Sequence, residues 1–170
     1  MTHRAYIGMG SNLGDRQGRL REAVSAMKRL PGTSVVAESS IYVSAPVGAS
    51  EPQPDYFNAV VGIDTLLPPR ALLEALQHIE HSAGRTRVAG LRNTARTLDL
   101  DILVIDDVII DERGLHVPHP RLQDRAFVLL PLNEIAPDCV VPGLGPVRAL
   151  LPRIAEQRIA RLSSPIVPAT

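Results

Sequence analysis

A chain of 170 residues, 45% of them hydrophobic, is the size of one globular domain and long enough to bury a core. Its 18 basic and 18 acidic side chains give a formal net charge of zero, which argues against a protein whose main partner is a nucleic acid or an anionic membrane and makes any basic site local. Cys139 is the single cysteine, the N-terminus lacks the apolar stretch of a signal peptide, and no apolar run approaches the roughly 20 residues of a membrane span, so a cytoplasmic protein in a reducing compartment is expected.

In chain order, Arg4 to Gly10 reads as a strand and Ser11-Asn12-Leu13-Gly14-Asp15 as a turn with helix caps. Leu20, Val24, Met27 and Leu30 recur at helical spacing until Pro31-Gly32 ends the pattern. Gly8, Gly10 and Gly14 imitate a dinucleotide fingerprint, but the third glycine of that motif would fall at Leu13, so a structural turn is the better reading. Val35 to Val43 is rich in β-branched residues and predicts one long strand. Ser44 to Asp55 carries too many prolines for a regular element.

Tyr56 to Ile63 resumes as a strand. The chain has only 3 tyrosines and 2 phenylalanines, so Tyr56-Phe57 at a loop junction is conspicuous; by itself the pair, with Asn58, reads as core packing and a turn-capping amide. Pro68-Pro69 opens a second helix with Leu72, Leu73, Leu76 and Ile79 as its stripe, and Gln77 and Glu80 read as a solvated face. Gly84 to Arg96 has no periodicity but carries Arg85, Arg87, Arg92 and Arg96, an expected mobile arginine-rich lid.

Thr97 to Leu103 alternates. Leu98, Leu100 and Ile102 share one face of a strand and Asp99 and Asp101 the other. Same-face neighbours lie about 7 Å apart, where two like charges repel by roughly 2 kcal/mol at an effective dielectric of about 20, so a cation belongs there. Asp106-Asp107 predicts a tight turn into Val108-Ile109-Ile110 and hence a hairpin. Leu115 to Pro120 is extended, Arg125 to Ile135 helical or buried, and Val147 to Ile154 a short helix interrupted by Pro152. One domain is expected over residues 1–162, with 163–170 as a frayed tail.

A same-face Asp-x-Asp pair, a following histidine and a cluster of arginines suggest magnesium-dependent polyphosphate chemistry. Magnesium takes hard oxygen ligands, one or two of them carboxylates and the rest substrate phosphates and water. Arginines would neutralise the transferring group. No P-loop or protein-kinase signature is present, the histidines lack zinc-ligand spacing and the cysteine is alone.

The motifs Gly8-x-Gly-Ser-Asn-Leu-Gly14, Pro54-Asp-Tyr-Phe-Asn-Ala59, Gly84-Arg85, Arg96-Thr-Leu-Asp-Leu-Asp-Ile102 and Val117-Pro-His-Pro-Arg-Leu122 with Arg125-Ala-Phe127 together resemble the 6-hydroxymethyl-7,8-dihydropterin pyrophosphokinases of folate biosynthesis. The resemblance implies an α+β, ferredoxin-like fold with a mainly antiparallel sheet, and transfer of pyrophosphate from ATP to the pterin hydroxymethyl with release of AMP. It implies two magnesium ions on Asp99 and Asp101, with Arg85 and Arg96 also catalytic. ATP would contact Gln77, Glu80, Arg85, Arg87, Arg96, His119 and Arg125. The pterin would lie between Tyr56 and Phe127, read by Asn58 and lined by Ser44, Pro46 and Val47. Asn93-Thr94-Ala95 stands where some members have Trp-Gly-Pro, and Pro120 where some have tyrosine. A monomer with no nucleic-acid partner is expected; the competing readings are a pterin- or ATP-binding relative with little turnover and a ferredoxin-like nucleic-acid module.

Overall fold

The first strand, β1 (His3–Ser11), leads through a turn to α1 (Arg16–Lys28), where Asp15 caps the helix by accepting the Gly18 N–H at 3.0 Å, a bond of the kind that contributes about 1 kcal/mol. The chain continues through β2 (Thr33–Glu38), β3 (Ser40–Ser44), β4 (Tyr56–Thr65), α2 (Pro69–Ser82), β5 (Asp99–Ile105), β6 (Ile110–Glu112), β7 (Leu115–Val117), α3 (Ala126–Ile135), β8 (Val140–Val141), β9 (Gly145–Pro146), α4 (Val147–Leu150) and β10 (Ala160–Pro165). This is a computed structural model, and it describes residues 1–45, 54–83 and 98–165.

The main sheet runs β10-β3-β4-β1-β5, with β2 also on β4, and every pair is antiparallel. β4 fills the gap left between β1 and the β2–β3 edge by the crossover through α1; α2 then returns the chain to the far side of β1. The result is the ferredoxin-like α+β arrangement. Leu20, Val24 and Met27 of α1 and Leu72, Leu76 and Ile79 of α2 pack with Ala5, Ile7, Met9, Val61, Ile63, Leu100 and Ile102 on one face of the sheet. A second cluster on the other face joins Tyr6, Val60, Leu103 and Val104 to Leu122 and to Leu129 and Leu132 of α3. Each large apolar side chain buried this way is worth about 1.5–3 kcal/mol.

Three sequence expectations change. The long strand over Val35–Val43 is divided at Ser39, which is 3% exposed. There the Ser39 N–H donates to the Val60 carbonyl while its hydroxyl oxygen accepts the Val60 N–H, both at 2.9 Å, so a side chain stands in for one rung of the ladder and the strand bends. Propensity along the strand holds no trace of this, because both partners lie across the sheet. The Asp106-Asp107 turn exists, with Val108 N–H bonded to the Ile105 carbonyl, but the following residues do not pair with β5. β6 pairs with β7 instead, through Gly114 at φ +78°, because burying Leu115 and Val117 draws β7 inward while Ile109 is left 71% exposed. Arg70 of α2 pins that hairpin through the Arg113 carbonyl and the Glu112 carboxylate, both at 3.0 Å. At the C-terminus, β10 extends three residues into the segment expected as a tail; residues 166–170 lie outside the described residues.

Glu134 ties α3 to the sheet edge. Its carboxylate accepts from the Ser40 N–H and hydroxyl and from the Tyr42 hydroxyl at 2.8 Å. Burial, then the bond to Glu134, push Tyr42 up to about 12. The folded chain thus holds this proton more tightly than the unfolded one, so the stability it contributes is fully present below pH 10 and is lost as pH rises through about 12. In a spectrophotometric alkaline titration one tyrosine should ionise near that value, and Tyr42→Phe should remove that phase; a wild-type profile with all tyrosines near pH 10 would contradict it.

Candidate active site

The face of the sheet turned toward α3 is not fully covered. At the end where β1, β4 and β5 run together it opens into a cavity of about 610 Å³, lined among others by Gly8, Gly10, Ser44, Tyr56, Asn58, Asp99, Asp101, Arg125 and Phe127. That is within the ordinary range for a small-molecule site. Alternation along β5 holds as expected: Leu98, Leu100 and Ile102 are in the core, and half-buried Asp99 and Asp101 turn together into the cavity. A one-residue bulge supports this. Ile7 pairs with Ile102 but Tyr6 with Val104, so both Leu103 and Val104 pack under α3 while the acids keep their face.

Gly8 sits opposite Asp101 and Gly10 opposite Asp99. They are strand residues, as the reading of Arg4 to Gly10 expects, and of the three glycines only Gly14, at φ +63°, serves the turn. A Cβ on Gly10 would stand 3.4 Å from Asn58 Oδ1 and 3.6 Å from the Tyr56 ring, inside the space the cavity now holds. Their i, i+2 spacing beside an acidic strand is the signal that could have identified them as the cavity floor.

Asn58 is 4% exposed, and its amide nitrogen donates to Ser44 Oγ at 2.7 Å, to the Tyr42 carbonyl at 3.2 Å and to the Tyr56 carbonyl at 3.4 Å. Three acceptors fix the amide orientation, and the carbonyl oxygen is left on the Gly10 side. Tyr56 opens β4, and that junction is tied down by Arg16, whose Nη1 donates to the Asp55 carbonyl at 2.8 Å and whose guanidinium lies 4.0 Å from the Phe57 ring centre. Phe127, at the start of α3, lies beneath Arg125, 5.4 Å from guanidinium carbon to ring centre. The expected pterin residues Ser44, Tyr56, Asn58 and Phe127 are therefore brought together; Pro46 and Val47 lie outside the described residues.

Of the expected nucleotide residues, Arg125 lines the cavity, and Arg85, Arg87 and Arg96 lie outside the described residues. His119 stands close by. Its Nδ1 accepts the Arg121 N–H at 3.2 Å, which leaves Nε2 as the protonated, donating nitrogen. Burial, then Arg125, hold its pKa below the usual value, with Asp99 pulling the other way. It is thus a neutral donor at pH 7. The solvated-face reading of α2 is corrected for one residue: Gln77 is exposed, but Glu80 is 4% exposed and its carboxylate accepts the Leu100 N–H at 2.8 Å. That amide lies between the two acids, so Glu80 holds the strand that presents them. Neither residue lines the cavity. Arg121, Asp124 and Gln157 do, and sequence reasoning gave none of them a role.

The donor set suits a hard cation. Among the described residues there is no group of three or more histidine, cysteine or acidic side chains fit to hold a metal, so a tight zinc-type cage is not formed there. Two carboxylates on one face, open to a cavity with room for phosphates and water, fit magnesium. Cys139 is half-buried with its thiol pushed up by burial, the reverse of an activated nucleophile.

The family model described as 7,8-dihydro-6-hydroxymethylpterin-pyrophosphokinase matches residues 6–137. The chain is 43% identical over 162 residues to the 2-amino-4-hydroxy-6-hydroxymethyldihydropteridine pyrophosphokinase of Pseudomonas aeruginosa, spanning 95% of this chain and 98% of that one. It is 47% identical over 135 residues to the enzyme of the same name from Bacillus subtilis, spanning 79% of each. Among solved structures it is similar in fold to wild-type HPPK-DHPS of Plasmodium falciparum, with a TM-score of 0.70 at 15% identity; 95% of this chain is covered, and it spans 50% of that longer chain.

Proposed function

The chain belongs to the 7,8-dihydro-6-hydroxymethylpterin-pyrophosphokinase family, and we propose that the cavity beside Asp99 and Asp101 is where its reaction takes place. The enzyme transfers the pyrophosphoryl group of ATP to 6-hydroxymethyl-7,8-dihydropterin in folate biosynthesis. The observation that carries the site is the meeting, on one open face, of two carboxylates from one side of β5 with a buried, oriented asparagine and two aromatic rings.

In this reading the flat pterin lies between Tyr56 and Phe127, and Asn58 Oδ1 accepts an N–H from its edge, while Ser44, Pro46 and Val47 complete the pocket. The hydroxymethyl oxygen is thereby aimed at the β-phosphorus of ATP. An oxygen–phosphorus bond forms there, the bond from the β-phosphorus to the oxygen shared with the α-phosphate breaks, AMP leaves with that oxygen, and the hydroxyl proton is released. Asp99 and Asp101 would hold two magnesium ions, which would supply charge neutralisation at the phosphate oxygens. Arg85 and Arg96 neutralise charge on the transferring group, Gln77, Arg87, His119 and Arg125 contact the nucleotide, and Glu80, buried on the Leu100 N–H, acts on it only through the strand that presents the acids. The neutral His119 Nε2–H suits a phosphate oxygen because it donates without needing to gain a proton. Positioning and charge compensation suffice for such a transfer, so no nucleophilic side chain is required. In the same reading the protein acts as a cytoplasmic monomer; among the described residues no helix is long and apolar enough to cross a membrane.

The test is product analysis. Incubated with ATP, magnesium and the hydroxymethyl dihydropterin, the enzyme should release AMP and form the pterin diphosphate. ADP as the nucleotide product would mean transfer of the γ-phosphate alone and would overturn the mechanism.

A further inference from the structure

Gln157 follows the short 3-10 helix Leu151–Ile154 and lies beyond residues 6–137, the stretch the family model matches. Its side-chain amide makes two bonds to main chain 31 and 33 residues away. Nε2 donates to the Asp124 carbonyl at 2.7 Å, and Oε1 accepts the Ala126 N–H at 2.9 Å. One primary amide therefore grips the peptide groups on both sides of Arg125.

This grip matters because of what Arg125 does for the chain. Its backbone is extended (φ −121°, ψ 112°), its carbonyl starts α3 by accepting the Val128 and Leu129 N–H groups, and no side chain near it in sequence caps the helix. The Ala126 N–H is the first orphan donor of α3, and Gln157 supplies its partner from a distance. Gln157 is in turn held by its own N–H on the Ile154 carbonyl at 3.0 Å, and Ile154 is buried in the core cluster that contains Leu122 and Leu129. The clamp is thus anchored in packed core at one end. At the other end it fixes the residue whose guanidinium lies over Phe127, with both side chains facing the cavity that Gln157 also lines.

We propose that Gln157 is a positioning residue that sets how Arg125 and Phe127 approach the substrates. The proposal rests on the reading of the site given above. A helix cap alone would ask only for an acceptor toward Ala126, and a carboxylate would serve that purpose well. Positioning asks for the donor as well, because the Asp124 carbonyl holds the other half of the grip.

Two variants of the full chain separate these roles by steady-state kinetics. Gln157→Ala should raise KM for both ATP and the pterin by about tenfold, the size expected for two lost hydrogen bonds at a partly exposed site, with kcat within about threefold of wild type. Gln157→Glu should share the defect, since it turns an oxygen against the Asp124 carbonyl. In an Arg125→Ala background, Gln157→Ala should add little further to KM for ATP. AMP formation by the wild type in the same assay establishes the underlying reading independently. With that in hand, wild-type KM values in both variants, full rescue by Gln157→Glu, or fully additive losses with Arg125→Ala would each overturn the proposal.

Discussion

In an Asp101→Ala variant, AMP formation should fall by on the order of 10³-fold or more, as for loss of a main electrostatic element of a transition state, with the melting temperature moved by only a few degrees. Asp101 is half-buried, faces the cavity rather than the core and sits one strand over from Gly8. On the proposed reading, removing its carboxylate takes away a cation ligand without opening a packed cluster. Asp99→Ala should behave alike. Raising magnesium should recover little of the rate, because on the proposed reading the carboxylate would set where the ion holds the phosphates and not only whether it binds. Initial rates across a magnesium series, with thermal melts of the same samples, check this. Wild-type turnover in either variant would remove the acids from the reaction.

The second large effect is expected at Asn58. Asn58→Ala should raise KM for the pterin by about 10²-fold while KM for ATP changes little. The side chain is buried, and its amide nitrogen satisfies Ser44 Oγ and two strand carbonyls. Truncation takes the Asn58 donor from those acceptors and, on the proposed reading, leaves the substrate N–H without a partner, and each unsatisfied buried group costs about 1–3 kcal/mol. A site built to hydrogen-bond its substrate discriminates strongly for this reason. Separate titrations of pterin and ATP decide it, and equal shifts in both constants would place Asn58 in general stability rather than in recognition.

Legibility in the sequence followed the range of the interaction. The acids of β5 and the stripes of α1 and α2 were readable because each is a pattern within a few residues; the aromatic-asparagine junction of β4 read locally as core packing and a capping amide, and only the family motifs singled it out. The break at Ser39 was not, since it depends on Val60 across the sheet. Glu80 misled for the same reason: local spacing places it on a helix face, but only the packing of α2 against β5 brings the Leu100 N–H to it. The hairpin was misplaced because two apolar segments competed for burial, and Leu115 with Val117 displaced Ile109.

By itself, then, the sequence determined which side chains share a face of a strand or helix, since backbone stereochemistry sets periods of 2 and 3.6 whatever surrounds them. Through its motifs it also pointed to the family. Only the tertiary structure decided that Gly8 and Gly10 lie beside the acids, that Glu80 holds their strand, and that Gln157 reaches Asp124 and Ala126 from beyond the matched stretch. Those relations join segments far apart in the chain, and they exist only once burial and strand pairing have chosen which segments meet.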